Sequence, residues 1–510
     1  MADKETNVVQ AAGHAASEAD ASPYTTGGNP LPRPAGWKYK GFKLPGCNEI
    51  WYASPKAQLL MVSFVCFLCP GLYNALGGLG GGGQLNSTVQ ANASTATYAV
   101  FAVVGFFSGS FANKLGIKIT LSLGGIGYSL YSASFLCYNH TGNNGFVIFA
   151  GAFLGFCAGL LWTAQGAIMM SYPREQSKGR YISSFWVIFN FGGVIGALIV
   201  LAQNLNNFSG SVTDGTYAAF IVLMFIGAIL ALLLVNADDV IREDGSKVIV
   251  MKEPTWQSEF YGLWECIRLS PWVVLLFPMF FASNIFYTYQ QNGVNFAHFN
   301  IRARSLNSLL YWLAQILGAL VYGAALDLPF RRSVRAKGAL ISLFILTFAI
   351  WGGGYAFEKN QPPRQVTSDP AYESKKIDFT DPNYLGPAFL YIFYGFYDAC
   401  WQTSIYWWMG ALSNSGRKTA NMAGFYKGIQ SAGAAVFWAL DGAKVSYRVL
   451  YGVTFGICAV SIVIASPVIW LRIKDTTPLE EDLKFSNEIL EDVAPVSMLE
   501  EKRAAFEADV

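Results

Sequence analysis

The chain has 510 residues, of which 53% are hydrophobic, 15% aromatic and only 13% charged, with a formal net charge of +2. Soluble globular proteins carry about 25% charged residues, and the mean hydropathy of this chain is +0.34. The composition therefore excludes a set of soluble domains and indicates a membrane protein with many spans.

Twelve apolar runs are long enough to cross a bilayer, since about 20 residues span its hydrocarbon core. They lie near residues 57–80, 95–113, 117–137, 144–170, 182–203, 216–235, 271–291, 305–327, 336–357, 386–410, 419–440 and 448–471. The first fifty or so residues are polar and show no cleavable signal, so we expect the first span to act as an uncleaved anchor.

The loops predict which side of the membrane each end faces. Lysine and arginine favour the cytoplasm, and they concentrate in alternate loops, as Lys114, Lys118, Arg174, Lys178, Arg180, Arg331, Arg332, Arg335, Lys337, Arg417 and Lys418. The intervening loops hold the glycosylation patterns N-x-[ST] at Asn86, Asn92, Asn139 and Asn207. Both signals predict cytoplasmic termini, in a plasma membrane or an endomembrane.

The predicted organisation has five parts. They are a polar cytoplasmic segment (1–56), a six-helix half (57–235), a cytoplasmic central loop (236–270), a second six-helix half (271–471) and an acidic cytoplasmic tail (472–510). The central loop contains Trp256, Phe260, Leu263, Trp264 and Ile267 at helical spacing, which predicts an amphipathic helix on the inner membrane face.

An internal repeat supports two related halves. The turn "GSFANKLGIKIT" (109–120) aligns with "GAALDLPFRRSV" (323–334), an offset of 214 residues. Further along, Gln165 aligns with Gln402 and Gly196 with Gly433, an offset of 237. The long polar loop 358–382 supplies the extra residues in the second half.

These turns resemble the motif G-x-x-x-D-[RK]-x-G-[RK]-[RK] that follows the second span in the major facilitator superfamily. The first copy matches at Gly109, Lys114, Gly116 and Lys118, with Asn113 in place of the acid; the second matches at Gly323, Asp327, Arg331 and Arg332. The resemblance implies an all-α fold of twelve transmembrane helices in two pseudo-symmetric halves. Either the turns are plain connections, or Asp327 sits at the positive end of a neighbouring helix and makes an asymmetric latch.

Within that superfamily the chain resembles the Unc-ninety-three-like family, particularly its fungal members, over about residues 50–475. The stretches that carry this resemblance are "LLMVSFVCFLCPGLYNALGGLGGGG", "FASNIFYTYQQNGVNFAHFNIRARSLN" and "ALDLPFRRSVRAKG". The resemblance implies a transporter fold but no particular solute, and animal relatives are better known as channel regulators or receptor-trafficking partners.

Polar residues deep inside spans are costly and by default mark a site. The predicted solute-binding residues are Asp398, Lys427, Asn190, Gln165, Gln402, Asn284, Gln290, Gln291 and Asn292, with Trp162, Trp401 and Tyr406 as aromatic walls. We expect Asp398 and Lys427 to pair. Alternatively the pair only joins two helices, the glutamines act as packing contacts, and the aromatics pack or line the membrane interface.

Three further patterns carry weaker expectations. Arg302, Arg304 and His298 form either a basic outer vestibule or a solvated helix end. The run "GGLGGGG" (77–83) lacks the ending of a phosphate loop and predicts a pliable helix end. Cys66 and Cys69, spaced as C-x-x-C inside a span, indicate membrane packing rather than metal or redox chemistry.

The leading functional prediction is a secondary transporter that moves a small solute by alternating access. The alternative is a non-transporting regulatory or trafficking subunit that binds a channel or receptor. We expect no enzyme activity, no cofactor, no metal and no nucleic-acid partner; the expected partners are the lipid bilayer, a small solute and, for the alternative, another membrane protein.

Overall fold

The computed structural model describes residues 25–26, 29–30, 35–42, 49–84, 86–172, 178–207, 210–242, 256–412 and 416–475. The predicted N-terminal segment and acidic tail fall mostly outside these ranges. Arg174 also lies outside them, and the side chains of Asn113, Lys178, Arg180, Arg417 and Lys418 are not among those described.

Helices occupy all twelve positions that the sequence predicts. They are α1 (Pro55–Gly78), α2 (Ser87–Val104) with its continuation α3 (Ser108–Leu115), α4 (Ile117–Thr141), α5 (Asn144–Ser171), α6 (Lys178–Asn204), α7 (Asp214–Leu232), α8 (Trp256–Leu269), α9 (Pro271–Phe296), α10 (Ile301–Leu326), α11 (Arg332–Glu358), α12 (Leu385–Leu412), α13 (Gly416–Gly442) and α14 (Tyr447–Arg472). Helix α8 corresponds to the predicted helix of the central loop, and a further short helix, Arg364–Thr367, lies in the long polar loop. The described strands are β1 (Thr25–Thr26) and β2 (Asn29–Pro30), an antiparallel pair.

Eight of the helices in the described ranges are long and apolar enough to cross a membrane: α1, α5, α6, α7, α9, α10, α11 and α14. The helices at the other four predicted positions, α2, α4, α12 and α13, are richer in Ser, Thr, Gly, Tyr and Trp. These side chains lower the hydropathy of a helix without adding many charges. They suit helices that pack against other helices, where small and hydroxyl-bearing residues allow close contact.

Helix packing repeats between the halves. In the first half α1 packs on α6, α2 on α5, and α4 on α7; in the second half α9 packs on α13, α10 on α12, and α11 on α14. The halves meet where α2 packs on α13 and α6 on α10. The same three pairings in each half give the molecule a pseudo-twofold arrangement with one shared surface between the halves.

Two glycines that the sequence aligns lie at equivalent helix crossings. A Cβ at Gly196 would lie 2.7 Å from the Cβ of Ala75, where α6 crosses α1. A Cβ at Gly433 would lie 2.3 Å from the carbonyl oxygen of Phe281, where α13 crosses α9. Both crossings need a residue without a side chain, which supports the predicted offset of 237 residues. The domain boundaries themselves stay predictions.

The first helix of each half is irregular. Helix α1 contains a widened π turn over Phe67–Gly71, which includes Pro70. Proline has no backbone N–H and therefore interrupts the regular hydrogen bonds of the helix. Helix α9 has a turn after Phe277–Ala282 and becomes a π helix over Tyr289–Phe296. Such widened turns expose backbone groups and often mark functional positions.

Candidate functional site

Asp398 lies on α12 and is completely buried. Its Oδ2 accepts hydrogen bonds from Tyr287 Oη at 2.7 Å, Tyr311 Oη at 3.2 Å and Gln315 Nε2 at 2.5 Å, and its Oδ1 accepts one from Gln402 Nε2 at 3.3 Å. These donors come from α9, α10 and α12. A buried carboxyl group needs such partners because burial removes it from water, and here every partner is neutral.

Lys427 lies on α13 and is exposed. Its Nζ donates to Gln430 Oε1 at 3.2 Å and lies 5.7 Å and 5.3 Å from the ring centres of Tyr406 and Tyr426. Among the described residues no carboxylate lies within ion-pair distance of Nζ. The expected Asp398–Lys427 ion pair is therefore wrong for this conformation, because Asp398 points to α9 and α10 whereas Lys427 points to the rings.

Amide side chains connect the two groups. Gln430 Nε2 donates to Asn284 Oδ1 at 2.9 Å and to Gln402 Oε1 at 3.3 Å, and Gln402 Nε2 donates to the carbonyl of Ser283 at 2.8 Å. The irregular turn of α9 supplies that carbonyl. We call the connected set the central polar network; its members are Asn284, Tyr287, Tyr311, Gln315, Asp398, Gln402, Tyr426, Lys427 and Gln430.

The first half contributes rings rather than hydrogen bonds. Gln165 is buried on α5 and Asn190 half-buried on α6, and neither hydrogen-bonds to the network within the described residues. Trp162 stacks on Trp186 at 6.4 Å, and Trp186 lies 6.3 Å from Tyr406 of the second half. An aromatic path thus crosses the surface between the halves and ends beside Lys427.

Trp401 does not belong to this path. It is fully buried and donates to Ser283 Oγ at 3.0 Å, so it packs α12 against the turn of α9. Of the three aromatic walls predicted, Trp162 and Tyr406 lie between the halves, and Trp401 lies inside the second half.

The predicted polar residues of the π helix divide between two places. The Tyr311 hydroxyl lies 3.0 Å from Gln290 Oε1 as well as 3.2 Å from Asp398 Oδ2, so these two acceptors share its one proton and Gln290 adjoins the central polar network. Asn292 Oδ1 instead accepts from the backbone N–H of Gly81 at 2.8 Å. The carbonyl of Gln291 lies where a Cβ at Gly80 would stand. Gln291 and Asn292 therefore contact the glycine-rich segment, away from the network.

That segment is held by a buried arginine. Arg304 is completely buried and donates to the carbonyls of Leu79 at 2.9 Å, Gly80 at 2.5 Å and Gly210 at 3.2 Å. Gly80 to Gly83 have φ between 60° and 80°, a conformation that side-chain-bearing residues rarely adopt. The segment is thus a tightly packed contact rather than a pliable helix end.

Further bonds across the halves surround Arg304. The carbonyl of Gly78 accepts from Asn295 Nδ2 at 2.9 Å and from Tyr391 Oη at 3.0 Å. We call this set the outer latch, since it lies at the predicted outer end; its members are residues 77–83, Asn292, Asn295, Arg304 and Tyr391. Within the described residues the hydrogen bonds that join the two halves cluster at this end.

Both alternatives for this cluster, the basic vestibule and the solvated helix end, are wrong. Arg304 is buried and donates to backbone carbonyls, and Arg302 is paired with Asp378 at 3.0 Å. His298 is buried, and burial together with the nearby Lys376 lowers its pKa to about 3, so the ring is neutral. The charges of Arg302 and Arg304 are therefore both satisfied by groups of the protein itself.

The long loop 358–382 packs against the outer latch rather than extending into solvent. Its Arg364 pairs with Asp441 of α13 at 2.8 Å, with both side chains buried. Asp441 Oδ2 also accepts from Asn292 Nδ2 at 2.7 Å, which connects the loop to the latch. Ile377 N donates to the carbonyl of His298 at 2.9 Å, so the loop also pairs with the segment after α9.

The two predicted turns lie at the opposite end. Gly116 ends α3 with φ 76°, and Lys114 is exposed. Asp327 follows α10 and is exposed; its backbone N–H donates to the carbonyl of Gly323 at 3.2 Å, but its side chain forms no hydrogen bond with a described residue. The N-terminus of α11 is instead occupied by Asp475, whose Oδ1 accepts from Ser333 N at 2.9 Å. The Ser333 hydroxyl donates to the same oxygen at 2.7 Å, and the two hydrogen bonds lower the pKa of Asp475. The asymmetric latch at Asp327 stays a prediction.

The four sequons differ in accessibility. Asn86 is exposed at the start of α2, and its Oδ1 caps the helix through Thr88 N at 3.0 Å. Asn139 and Asn207 use their amide nitrogens internally, on Asp214 and Ser211. Asn92 is exposed on α2, where its Oδ1 lies beside Gly442. Asn86 is therefore the best-presented acceptor.

Cys66 and Cys69 are buried in α1, and Cys69 Sγ donates to the carbonyl of Met224 at 3.4 Å. This contact joins α1 to α7, as expected for a cysteine that packs between helices.

Comparisons with known proteins agree with the fold. The sequence profile of the Major Facilitator Superfamily matches residues 58–371. The chain is 48% identical over 447 residues to an UNC93-like protein of Schizosaccharomyces pombe, with 88% of each chain covered. It is 42% identical over 433 residues to UNC93-like protein 1 of Arabidopsis thaliana, covering 84% of this chain and 93% of the relative.

Two solved structures share the architecture at 14% identity. One is the xylose transporter XylE from E. coli in a partially occluded inward-open conformation, with a TM-score of 0.55. The match covers 84% of this chain and all of XylE. The peptide transporter POT has a TM-score of 0.53, with 95% of it and 82% of this chain covered. The predicted all-α fold is confirmed: the chain is a multi-pass membrane protein of the major facilitator superfamily and belongs to its UNC93-like family.

Proposed function

We propose that this protein is a secondary transporter that moves a small solute across a membrane by alternating access. The observation that carries the proposal is the central polar network. It collects an acid, a lysine and several amides inside a membrane fold, where polar groups are costly and usually functional. Transporters of this architecture bind their solutes near the middle of the membrane, between the halves.

The conformation fits one state of such a cycle. The outer latch joins the halves with buried hydrogen bonds, whereas Lys427 is exposed beside Tyr406, whose ring lies 6.3 Å from Trp186 of the first half. A protein whose centre was filled with packed side chains would bury this lysine. The proposed state is closed at the outer end and accessible to solute at Lys427.

The orientation is also a proposal. We propose that both termini are cytoplasmic, in a plasma membrane or an endomembrane, and that the protein is a glycoprotein modified at Asn86. Support comes from the basic loops at one end and the exposed sequon at the other. A glycosidase-sensitive band that the Asn86→Gln variant lacks would agree; addition of sugar to a sequon engineered into the turn after Asp327 would contradict it.

Flux into proteoliposomes tests transport. The purified full chain is given labelled phenylacetate, phenethylamine, glucose and leucine in turn, with and without a proton or sodium gradient. The proposal predicts that at least one solute enters faster than in empty liposomes. It also predicts that Asp398→Asn and Lys427→Gln lower that flux at least tenfold, while Lys359→Gln, at an exposed position on the outer side, does not.

One observation favours the alternative of a regulatory subunit that binds another membrane protein. Helix α8 packs through buried Leu263 and Cys266 but leaves Tyr261 62% and Trp264 64% exposed. Such aromatics suit either a membrane surface or a partner helix. If no solute moves and a channel or receptor co-purifies through α8 or through the loop 358–382, the alternative replaces transport.

A further inference from the structure

We propose that the solute is a small organic anion with a flat apolar group, and that Lys427 binds its anionic oxygens. This inference rests on the proposed transport function and specifies the solute for the same site. Two observations support it. Lys427, rather than Asp398, is the charged group of the central polar network that a molecule between the halves can reach, and aromatic rings surround Lys427.

The acid of the network is not available to a solute. Asp398 is 0% exposed, and four neutral donors from Tyr287, Tyr311, Gln315 and Gln402 already approach its two oxygens within 3.3 Å. A cationic solute would have to displace these donors to reach the carboxyl group. The fold has therefore compensated Asp398 internally.

Lys427, by contrast, has N–H donors that no hydrogen bond to a described residue uses. An ammonium group has three N–H donors, and Lys427 Nζ gives one to Gln430 Oε1 at 3.2 Å. Its other described contacts are ring faces, those of Tyr406 and Tyr426. Within the described residues no carboxylate neutralises it. A solute that enters here meets an accessible positive charge with free donors.

Charge and shape then select the solute. A cation would be repelled by Lys427 and a neutral molecule would gain no charge–charge attraction, whereas an anion would accept charge-assisted hydrogen bonds from its ammonium group. Tyr406, next to Lys427 Nζ, is 37% exposed, and its ring centre lies 6.3 Å from that of Trp186 in the other half. Exposed ring faces of this kind favour a flat apolar group.

A matched panel separates charge from shape. Indole-3-acetate, indole-3-acetamide and tryptamine share one ring system and carry negative, zero and positive charge; phenylacetate, phenylacetamide and phenethylamine form a smaller set. Binding to the purified full chain is measured by thermal stabilisation and titration calorimetry, and uptake is measured in proteoliposomes. We expect at least one carboxylate to bind and enter, at least tenfold more tightly than its amide and amine.

The variants locate the effect. Lys427→Gln should weaken carboxylate binding about ten- to a hundredfold, the loss of one charge-assisted hydrogen bond. Lys427→Arg should restore most of it, and Lys359→Gln should leave it unchanged. Gel filtration and the melting temperature show that each variant is folded, so that a lost ligand is not mistaken for a lost fold.

Several outcomes overturn the inference. They are equal binding of amine and acid, carboxylate binding that survives Lys427→Gln, or failure of both carboxylates to bind. The same experiments test the transport function separately from the anion site. If tryptamine enters but indole-3-acetate does not, transport holds and the anion assignment fails. If the carboxylate binds through Lys427 and no solute crosses the membrane, the anion site holds and the transport function fails.

Discussion

Asp398 and Arg304 are an acidic and a basic side chain that the fold removes from solvent completely, and neither forms an ion pair with a residue that the structure describes. Asp398 accepts from hydroxyl and amide groups, and Arg304 donates to three backbone carbonyls. The sequence identified Asp398 because an acid in the middle of an apolar run is conspicuous. It did not identify the burial of Arg304, because an arginine at a helix start is usually solvated and carbonyl partners leave no sequence pattern.

Removing the Arg304 guanidinium should weaken the outer latch. Arg304→Gln leaves the carbonyls of Leu79 and Gly210 without donors, and each unsatisfied buried group costs about 1–3 kcal/mol. We expect a clearly lower melting temperature in detergent and increased labelling of a cysteine placed at the buried Leu79, the one residue of 77–83 that is not glycine. The exposed Arg472→Gln is the matched control. Unchanged melting and labelling in Arg304→Gln would show that the latch does not hold the halves.

The network partners show a second limit of sequence reasoning. Gln402 and Asn284 were predicted, but Gln430, Tyr287 and Gln315 were not, although all contact the same network. Glutamines commonly join membrane helices by hydrogen bonds, and tyrosines are common at the membrane interface. Only the rotation of α9, α10 and α13 relative to α12 brings these particular ones together, and helix rotation is not encoded in hydropathy.

At the scale of elements, the loop 358–382 differs most from expectation. A polar loop of this length predicts a solvated connection, yet Arg364 and Lys376 are buried. Lys376 Nζ lies 4.4 Å from the ring centre of Phe296, whose ring also faces Arg304 at 4.9 Å. The loop is polar because its charges have partners on α9, α10 and α13, so composition alone cannot distinguish it from an exposed loop.

Lys376 should make the stability of the protein depend on pH. Burial and the nearby Arg304 lower its pKa from 10.5 to about 8. Between those values the unfolded chain binds more protons than the folded one, so stability rises with pH from about 8 to 10.5. The full rise is about 3 kcal/mol. Melting curves of wild type and Lys376→Met should converge above pH 10; a constant difference from pH 7 to 10.5 would contradict the assignment.

The helix crossings depend on particular glycines. Gly433→Ala would place a Cβ 2.3 Å from the carbonyl of Phe281, and overpacking of this kind costs about 1–3 kcal/mol. Gly452 on α14 has open space around its Cα, so Gly452→Ala should be neutral or slightly stabilising, since alanine favours helix. Thermal unfolding compares the two variants, and equal melting temperatures would mean that α9 and α13 do not cross as described.

At the scale of the whole molecule, the repeat in the sequence was the strongest predictor. It indicated two related halves, and the structure pairs equivalent helices in each half and brings the halves together along α2–α13 and α6–α10. What the repeat could not predict is the difference between the two ends. That difference depends on the positive φ angles of Gly80 to Gly83 and on Arg304, neither of which has a counterpart that the repeat reveals.

The central claim is that the halves must separate at the outer latch for solute to cross. Gly78 of α1 and Ser308 of α10 face each other across the two halves, since a Cβ at Gly78 would lie 3.7 Å from the Cβ of Ser308. Disulfides form at Cβ separations of about 3.5–4.5 Å. In Gly78→Cys/Ser308→Cys proteoliposomes we expect oxidation to abolish uptake of the transported solute and reduction to restore it. Neither single variant should respond. Full uptake by the cross-linked protein would contradict alternating access.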